Sequence, residues 1–239
     1  MLHKLRAHKY LLFLLILTIA ALAVMLPYRK VFQVHSAFAP YNYQTTLILD
    51  AGHGGADGGA VAEDGTAEQD INLVIVQKCK AFAGLFGIRT ILTREDNSSV
   101  AYDPEQSIRA NKVADIHARE QIAEQVENPI FLSVHLNKFS DAAYSGAQVF
   151  WSKNNPEGQI LAQELQKSFT LGLSPARERQ AKQASDDIYL MKHLDCPAVI
   201  AECGFLSNVQ EAQMLKQDSY QKRLAICMIC GYLQYLELE

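Results

Sequence analysis

Short runs of β-branched and apolar residues alternate with longer amphipathic segments over most of this 239-residue chain. The short runs lie at residues 45–50, 88–93, 130–136, 147–151 and 197–202. Several of the segments between them show the three-to-four-residue apolar spacing of helices. Because strands that alternate with helices are typical of α/β proteins, we expect an α/β fold, with a mixed, mostly parallel sheet flanked by helices. One domain over residues 45–239 accounts for this pattern.

The helices of this pattern carry recognisable end signals. Thr66 and Gln69 have the spacing of a capping box, and Gly87 is suited to close the same helix. Asp103 followed by Pro104 predicts the start of a second helix, which we expect to run to about residue 126. Two further helical segments are predicted over residues 159–169 and 210–236.

An apolar stretch near the N-terminus indicates export from the cytoplasm or anchoring in a membrane. Residues 10–26 contain only one residue that is not hydrophobic, Thr18, and they follow the basic residues Lys4, Arg6 and Lys9. A core helix of a soluble domain normally has a polar stripe, which this segment lacks. About 17 residues are compatible with either an export signal or a membrane-spanning helix.

The position of the first cleavage candidate favours an anchor over a cleaved signal. The nearest small-x-small sequence, Ala37-Phe38-Ala39, lies far beyond the apolar stretch and precedes a proline. We therefore expect residues 1–27 to be a signal-anchor in the membrane and residues 28–44 to be a linker. The domain over residues 45–239 is then exported and extracytoplasmic, or secreted if the signal is cleaved.

Charge and cysteine content exclude two other classes of protein. The formal net charge is −4, and because the N-terminal segment is basic, the remainder is more acidic still. Nucleic-acid binding depends on Lys and Arg that neutralise phosphates, so we expect no nucleic-acid partner. The five cysteines are odd in number and irregularly spaced, which indicates no disulfide framework.

Four residues that can bind or serve a metal occur near predicted strand ends or at a helix start. His53, His135 and Glu202 follow or end apolar strands, and Glu68 begins the first helix. Ligand sites of open α/β sheets lie outside the carboxyl ends of the strands. Two imidazoles and one carboxylate form a zinc set that leaves a position for water, and a further carboxylate can then accept a proton. This combination predicts hydrolysis of an amide.

Several longer motifs surround these residues. They are Leu49-Asp50-Ala51-Gly52-His53-Gly54-Gly55, Glu68-x-x-x-Asn72-Leu73, Leu92-Thr93-Arg94, Leu132-Ser133-Val134-His135-Leu136-Asn137, Ser145-Gly146 and Ile200-Ala201-Glu202-Cys203-Gly204-Phe205-Leu206-Ser207-Asn208. Together they make residues 45–236 similar to the zinc-dependent N-acetylmuramoyl-L-alanine amidases. The resemblance implies Zn²⁺ on His53, Glu68 and His135, with Glu202 as the catalytic carboxylate and peptidoglycan stem peptides as substrate.

Within that family the chain most resembles the germination-specific members of endospore formers. The shared features are the N-terminal apolar segment, the lack of wall-binding repeats and the sequence Ile188-Tyr189-Leu190-Met191. This likeness implies a role on spore cortex peptidoglycan. Members of the family are often controlled, so a protein activator is also a candidate partner. The departures are small: Gln69 stands where many relatives have Lys, and Cys203 stands where an aliphatic residue is common.

Three further residues are candidates for supporting roles. Arg94 could bind substrate carboxylates or form an ion pair with Glu202, and the sequence leaves both open. Asp50 and Asn137 lie close to the two histidines in the chain, so we consider them for hydrogen bonds that fix an imidazole tautomer.

Two other functions remain open at this point. The same metal set could serve a zinc peptidase that acts on wall peptides, or the fold could be a wall-binding regulator without turnover. The polar segment 174–187 has no apolar periodicity and is expected to be an exposed loop, with substrate or partner contact as a possible role.

Overall fold

The structure is a computed structural model that describes residues 44–175 and 177–238. The expected signal-anchor, residues 1–27, and the linker up to residue 43 lie outside the described residues. Within the described part, every helix is too short or too polar to cross a bilayer.

A six-stranded sheet forms the centre of the described domain. Its strands are β1 (Thr46–Ala51), β2 (Thr90–Leu92), β3 (Pro129–Asn137), β4 (Gln148–Trp151), β5 (Lys182–Gln183) and β6 (Ala198–Phe205). The order across the sheet is β2-β1-β3-β6-β4-β5. The pairing of β4 with β6 is antiparallel and the other pairings are parallel, which confirms the predicted mixed, mostly parallel sheet.

Helices cover both faces of this sheet, as predicted for an α/β fold. They are α1 (Glu68–Leu85), α2 (Ile108–Glu124), α3 (Pro156–Leu173), α4 (Tyr189–His193), α5 (Val209–Leu215) and α6 (Asp218–Leu236). Helices α1, α3 and α6 share one apolar core with the sheet. Helices α2 and α4 share a smaller core with its opposite face.

The alternation of side chains along each strand decides which residues can meet. Leu47 and Leu49 of β1 pack towards α1, whereas Ile48 packs towards α2. Because successive side chains point to opposite faces, Asp50 lies on the α2 side as well. The same alternation along β3 and β6 brings His135 and Glu202 to that side. The polar residues of interest therefore share one face of the sheet.

Helix α2 begins later than the sequence predicted, because a turn precedes it. The Asp103 carboxylate accepts a hydrogen bond from the backbone N–H of Glu105 (3.0 Å) and closes this turn locally. The helix itself starts at Ile108, where the Ser107 hydroxyl caps it by accepting from the N–H of Ala110 (3.2 Å). The prediction of Asp103 as the helix cap was therefore wrong.

The predicted capping box of α1 does not form. The N-cap residue is Ala67, whose side chain cannot cap the helix. The Thr66 hydroxyl instead donates to the carboxylate of Asp64 (2.7 Å), a nearer acceptor that competes with the helix. The first orphan donor of α1, the N–H of Glu68, finds the carbonyl of Ala60 at 2.8 Å.

Strand β6 is longer than predicted, and Glu202 therefore lies inside it. The strand stays paired with β3 as far as Phe205, across a register shift between His135 and Asn137. Such an irregularity lets pairing continue while the strands change alignment. Glu202 consequently stands in register with His135 on one side and with Gln148 on the other.

Candidate metal centre and catalytic site

Three separate elements bring His53, Glu68 and His135 together. His53 lies in the loop after β1, Glu68 is the first residue of α1, and His135 lies near the end of β3. The Nε2 of His53 is 3.3 Å from Oε2 of Glu68, and the Nδ1 of His135 is 3.0 Å from Oε1 of Glu68. One donor atom from each residue lies within 4.8 Å of the other two. The three donors are therefore close enough to be drawn onto a single ion.

The Glu68 carboxylate is held as an anion between the two histidines. Its Oε1 accepts from the N–H of Leu136 and its Oε2 from the N–H of Ala60, both at 2.8 Å. Burial alone would raise the pKa of Glu68, but hydrogen bonds from His135 and His53 outweigh burial and hold that pKa below its usual range. A metal-ligating carboxylate must be ionised, so this environment suits the role.

His53 is oriented by a carboxylate that sequence reasoning missed. The Oδ2 of Asp57 lies 3.1 Å from Nδ1 of His53, and Lys112 holds Oδ1 of the same carboxylate at 2.8 Å. Burial works against ionisation of Asp57, but Lys112 and His53 keep its pKa below its usual range. A carboxylate on the far nitrogen of a ligating imidazole fixes its tautomer. The signal available in the sequence was an acid four residues after His53 in a glycine-rich loop.

Arg94 pins the backbone of the loop that carries His53. Its Nε donates to the carbonyl of Ala51 (2.9 Å), and its Nη2 donates to the carbonyls of Gly52 (3.2 Å) and Gln69 (2.8 Å). The remaining nitrogen, Nη1, donates to the carbonyl of Asp96 (2.7 Å). The structure thus gives Arg94 backbone partners, and no hydrogen bond or ion pair with Glu202 is found among the described residues.

Arg119 of α2 holds the same loop from the other side. It donates to the carbonyls of Ala51 (2.8 Å) and His53 (2.7 Å). Its charge is paired with the carboxylates of Asp50 and, at 2.8 Å, of Asp115. His53 has a φ of 65°, a left-handed conformation that costs energy for a residue other than glycine. The two arginines stabilise that conformation from both sides.

The Asp50 carboxylate forms an ion pair with Arg119 and accepts hydrogen bonds from two hydroxyl groups. Besides the ion pair, its carboxylate accepts from the hydroxyls of Ser133 (2.5 Å) and Thr93 (2.7 Å). Burial opposes ionisation, but Arg119 and these hydroxyls together keep the pKa of Asp50 below its usual range. Among the described residues, neither imidazole donates a hydrogen bond to Asp50. Its link to the site runs through Arg119 and the backbone of His53.

Two glycines leave the space that the side chains of His53, Glu68 and His135 occupy. A Cβ on Gly52 would lie 2.3 Å from the ring atoms Cε1 and Nε2 of His135. A Cβ on Gly59, whose φ is 69°, would lie 2.6 Å from Cδ2 of His53 and 2.7 Å from Oε2 of Glu68. These approaches are closer than side chains tolerate. The glycines of the loop therefore form a cradle for the three donors.

Glu202 faces this cluster with an oxygen that the protein leaves unpaired. Its Oε2 is buried and has no hydrogen-bond partner among the described residues. Burial raises the pKa of Glu202 to about 7, with His135 acting in the opposite direction. A buried polar atom without a partner is costly unless a ligand or water completes it. Its position in register with His135 suits proton transfer to or from a group held at the His53, Glu68 and His135 side chains.

The remaining candidates lie at the border of this site. Asn137 ends β3, and its backbone carbonyl accepts from the N–H of Leu206 (2.8 Å), which joins the ends of β3 and β6.

Cys203 points to the opposite face of the sheet, where it is fully buried in the apolar core. Burial raises the pKa of its thiol well above the usual range.

Comparison with known proteins places the whole domain in one family. Residues 47–232 match the family model described as N-acetylmuramoyl-L-alanine amidase. The germination-specific N-acetylmuramoyl-L-alanine amidase of Bacillus subtilis (strain 168) is 32% identical over 189 residues, which are 79% of this chain and 78% of that protein.

Solved structures show the same relationship. The CwlD amidase of Clostridioides difficile, solved in complex with the GerS lipoprotein, is 37% identical with a TM-score of 0.78. The match covers 81% of this chain and 99% of that one. The catalytic domain of CwlV from Bacillus (Paenibacillus) polymyxa var. colistinus shares the fold at 24% identity and a TM-score of 0.69, over 82% of this chain and 99% of that domain. With the family model matched over most of its length, this chain belongs to the N-acetylmuramoyl-L-alanine amidase family.

Proposed function

We propose that this protein is a zinc-dependent amidase that hydrolyses the bond between the lactyl group of N-acetylmuramic acid and the L-alanine of the stem peptide. One observation carries the proposal. The donors of His53, Glu68 and His135 converge within 4.8 Å, and the unpaired oxygen of Glu202 lies on the neighbouring strand. Membership of the amidase family agrees with this chemistry.

The donor set is the basis for choosing zinc. Two imidazole nitrogens and one carboxylate oxygen are the ligands of hydrolytic zinc sites, which keep a further position open. The cradle formed by Gly52 and Gly59 and the ionised state of Glu68 fit such an ion. When bound by His53, Glu68 and His135, zinc supplies Lewis acidity that activates water and polarises the scissile carbonyl.

In this proposal Glu202 moves the proton. Its free oxygen accepts a proton from the attacking water and returns it to the amine nitrogen of L-alanine when the carbon–nitrogen bond breaks. Asp57 holds the His53 ring in one tautomer, and Arg94 with Arg119 keeps the His53 backbone in its left-handed conformation. The products are a free lactyl carboxylate on muramic acid and an intact stem peptide with a free amino group.

We further propose that the cell-wall substrate is spore cortex peptidoglycan. Support comes from the relative named as germination-specific in Bacillus subtilis and from the likeness to CwlD. Because that CwlD structure contains the GerS lipoprotein, a lipoprotein is the class of activator that we propose for this chain. Residues 1–27 would keep the domain at the outer surface of the membrane, where such a partner and the wall are accessible.

Product analysis tests the reaction. The full-length protein, supplied with Zn²⁺, is incubated with purified peptidoglycan, and the digest is analysed by mass spectrometry. We expect new muramic carboxylates together with intact stem peptides that begin at L-alanine. Shortened stem peptides would instead identify a zinc peptidase, and wall binding without any new product would identify a non-catalytic regulator.

Metal analysis tests the ligands separately. His135→Ala should abolish zinc binding because one of the three donors is gone, and activity should disappear with the metal. Unchanged zinc stoichiometry in this variant would remove His135 from the ligand set. His193→Ala, which alters an exposed histidine on α4, is the matched control and should keep both metal and activity.

A further inference from the structure

A buried carboxylate that the proposed mechanism does not use lies at the end of the strand that carries Glu202. This residue is Glu211 of α5, which is only 4% exposed. Its Oε1 accepts a hydrogen bond from the N–H of Gly146 (2.7 Å), and its Oε2 accepts from the N–H of Phe205 (2.8 Å). Phe205 ends β6 and Gly146 leads into β4. One side chain thus joins β6 to the segment that enters β4.

The place of Glu211 in its own helix predicts a different role. Asn208 is the N-cap of α5, and its side chain accepts from the N–H of Glu211 (3.0 Å). A glutamate three residues after an N-cap commonly completes a capping box by accepting from the N–H of the capping residue. Here the N–H of Asn208 donates to the carbonyl of Phe205 instead (3.2 Å). Both oxygens of Glu211 therefore serve other elements than the helix that carries them.

The bonds of Glu211 occur where β4 and β6 separate. The two strands are antiparallel, and their pairing ends with Gln148 opposite Glu202. Continued by two residues, this register would place Gly146 opposite Gly204. The N–H of Gly146 donates to Glu211 instead, and a Cβ on Gly204 would lie 3.1 Å from Cδ of Glu211. The carboxylate therefore lies against β6 two residues after Glu202.

Arg179 brings a positive charge close to this carboxylate. Its guanidinium carbon lies 5.4 Å from the centre of the Tyr144 ring and 5.2 Å from the centre of the Phe205 ring. Its Nε donates to the carbonyl of Ser145 (3.0 Å). Burial raises the pKa of Glu211, although the two backbone N–H groups and Arg179 act in the opposite direction. Arg179 thus holds the residues before β4 and offsets part of the cost of a buried acid.

We propose that Glu211 is a positioning residue for Glu202, and that Arg179 supports it in this role. The inference rests on the proposed reaction, in which Glu202 must stay within reach of the attacking water and of the leaving amine. A displacement of about 1 Å in such a group costs on the order of 10²-fold in rate. Without the bonds of Glu211, pairing with β3 is the remaining strand contact that holds β6 beyond Glu202 in the described part of the chain.

The experiment is a double-mutant cycle on turnover. It uses zinc-loaded full-length protein and a soluble muramyl peptide, under conditions in which circular dichroism shows every variant to be folded. In Glu211→Gln the side chain keeps its size, but its NH2 group must face a backbone N–H, and two donors cannot bond each other. We expect kcat to fall about 10- to 100-fold because Glu202 is displaced. KM and zinc content should stay at the wild-type values, because Glu211 bonds to none of the proposed zinc ligands.

The second half of the cycle asks whether Glu211 acts through Glu202. In a Glu202→Gln background, residual turnover is measured by mass spectrometry of the accumulated product. Glu211→Gln should cause no further loss there, since the effects of residues that act as a unit are not additive. A residue that only stabilises the fold would instead cause the same fold loss in both backgrounds.

Arg179→Lys is a milder variant that tests the same connection. Lysine keeps a positive charge near Glu211 but loses the planar group between the two rings and its bond to Ser145. The fall in kcat should be smaller than in Glu211→Gln and should also be absent in the Glu202→Gln background.

Ser168→Ala is the matched control for a lost buried hydrogen bond. Ser168 is 7% exposed, and its hydroxyl joins α3 to α6 by donating to the carbonyl of Cys227 (2.7 Å). Its removal should lower the midpoint of denaturant unfolding and leave kcat unchanged, because this bond involves neither β4 nor β6.

Three results would overturn the inference: wild-type kcat in Glu211→Gln, a change in KM alone, or equal fold losses with and without Glu202. If Glu211→Gln does not fold, the cycle with Arg179→Lys decides between the same outcomes. Failure of the wild type to hydrolyse the muramyl peptide, or full turnover in Glu202→Gln, would instead contradict the proposed amidase function.

Discussion

The two sides of the candidate site are constructed in opposite ways. On the ligand side, both oxygens of Glu68 accept backbone hydrogen bonds, and the carbonyls of the His53 loop accept from Arg94 and Arg119. On the β6 side, Glu202 keeps a buried oxygen without a partner among the described residues. The hydrogen bonds of the protein hold His53 and Glu68 in place, whereas one carboxylate oxygen of Glu202 is left without a partner among the described residues.

Each side of the site also contains one feature that costs free energy of folding. The ligand side holds His53 at a positive φ, a conformation that costs on the order of 1 to 3 kcal/mol and persists because surrounding bonds enforce it. The β6 side stores the cost of a buried, unpaired carboxyl group. Variants on the two sides should therefore fail differently. Those on the ligand side should lose metal binding and stability, whereas those of Glu202 should lose turnover and keep metal binding.

The largest effect is expected from Glu202→Gln. The amide preserves the shape of the side chain but cannot accept the proton, so kcat should fall by about 10²- to 10⁴-fold. Zinc content, measured by inductively coupled plasma mass spectrometry, should stay at the wild-type value. The reason is that the three proposed ligands are His53, Glu68 and His135, and Glu202 is not among them. Glu63→Gln, at an exposed position in the loop before α1, is the control. Wild-type turnover in the Glu202 variant would remove this residue from the mechanism.

Arg119→Met should cause the next largest effect, on stability. Removing the guanidinium leaves Asp50 buried without its counter-ion, and breaking a buried ion pair in this way costs about 3 to 5 kcal/mol. The measurement is the free energy of unfolding in denaturant with metal-free protein. Arg109→Met, which removes an exposed arginine of α2, should change it by less than about 1 kcal/mol.

The loss of unfolding free energy in Arg119→Met should depend on pH, because it arises from the charge on Asp50. In the wild type its pKa is below the usual range, so its contribution to stability is present above about pH 4 and is lost only as the pH falls below that. Without Arg119, burial raises the pKa of Asp50, and protonation then relieves the unpaired charge. The difference in unfolding free energy between wild type and Arg119→Met should therefore become smaller as the pH falls from neutral towards about 4, the pKa of an aspartate in the unfolded chain. A constant difference would show that Asp50 is not the group left uncompensated.

The sequence predicts those features that depend on local patterns. Apolar runs and amphipathic spacing gave the α/β fold, since burial of a sheet between helices imposes both patterns. Helix starts were less predictable, because Asp64 and Asp103 offer local acceptors that compete with helix caps. Residues 210–236, which the sequence predicts to be mostly helical, form α5 and α6 in the structure.

Arg119, which supports the loop of His53, could not be identified from the sequence. Arg119 stands four residues after Asp115, a spacing that is equally typical of a surface ion pair on a helix. Only the packing of α2 on the sheet shows that it reaches the carbonyl of His53. The extension of β6 past Glu202 likewise depends on pairing with β3, which no local pattern encodes.

Gly52→Ala tests the steric part of the ligand side. The added methyl group would overlap the His135 ring, so either the ring or the loop backbone must shift and the contact between His135 and Glu68 is disturbed. We expect a loss of about 1 to 3 kcal/mol in stability and weaker zinc binding in a competition titration with a chelator. Gly84→Ala is the matched control, because its Cβ meets no atom within 4 Å and the change within α1 should stabilise by about 0.5 to 1 kcal/mol. Equal zinc affinity in both variants would show that the space left by Gly52 is not needed for the position of the His135 ring.

Among the variants of Glu202, Arg119, Gly52 and Asp57, we expect Asp57→Asn to have the smallest effect. It tests how much the orientation of the His53 ring contributes to zinc affinity when all three proposed ligands are still present. Asparagine can still contact Nδ1 of His53 but no longer offers a charged acceptor, so zinc affinity should fall about 10- to 100-fold while all three donors remain. Lys112→Met should weaken zinc binding less, because this partly exposed lysine restrains Asp57 only through an ion pair of the kind worth at most about 1 kcal/mol. If Lys112→Met reduced affinity as much as Asp57→Asn, the lysine would be the element that positions His53. If neither changed it, the bonds from Arg94 and Arg119 to the loop backbone would suffice to orient the ring.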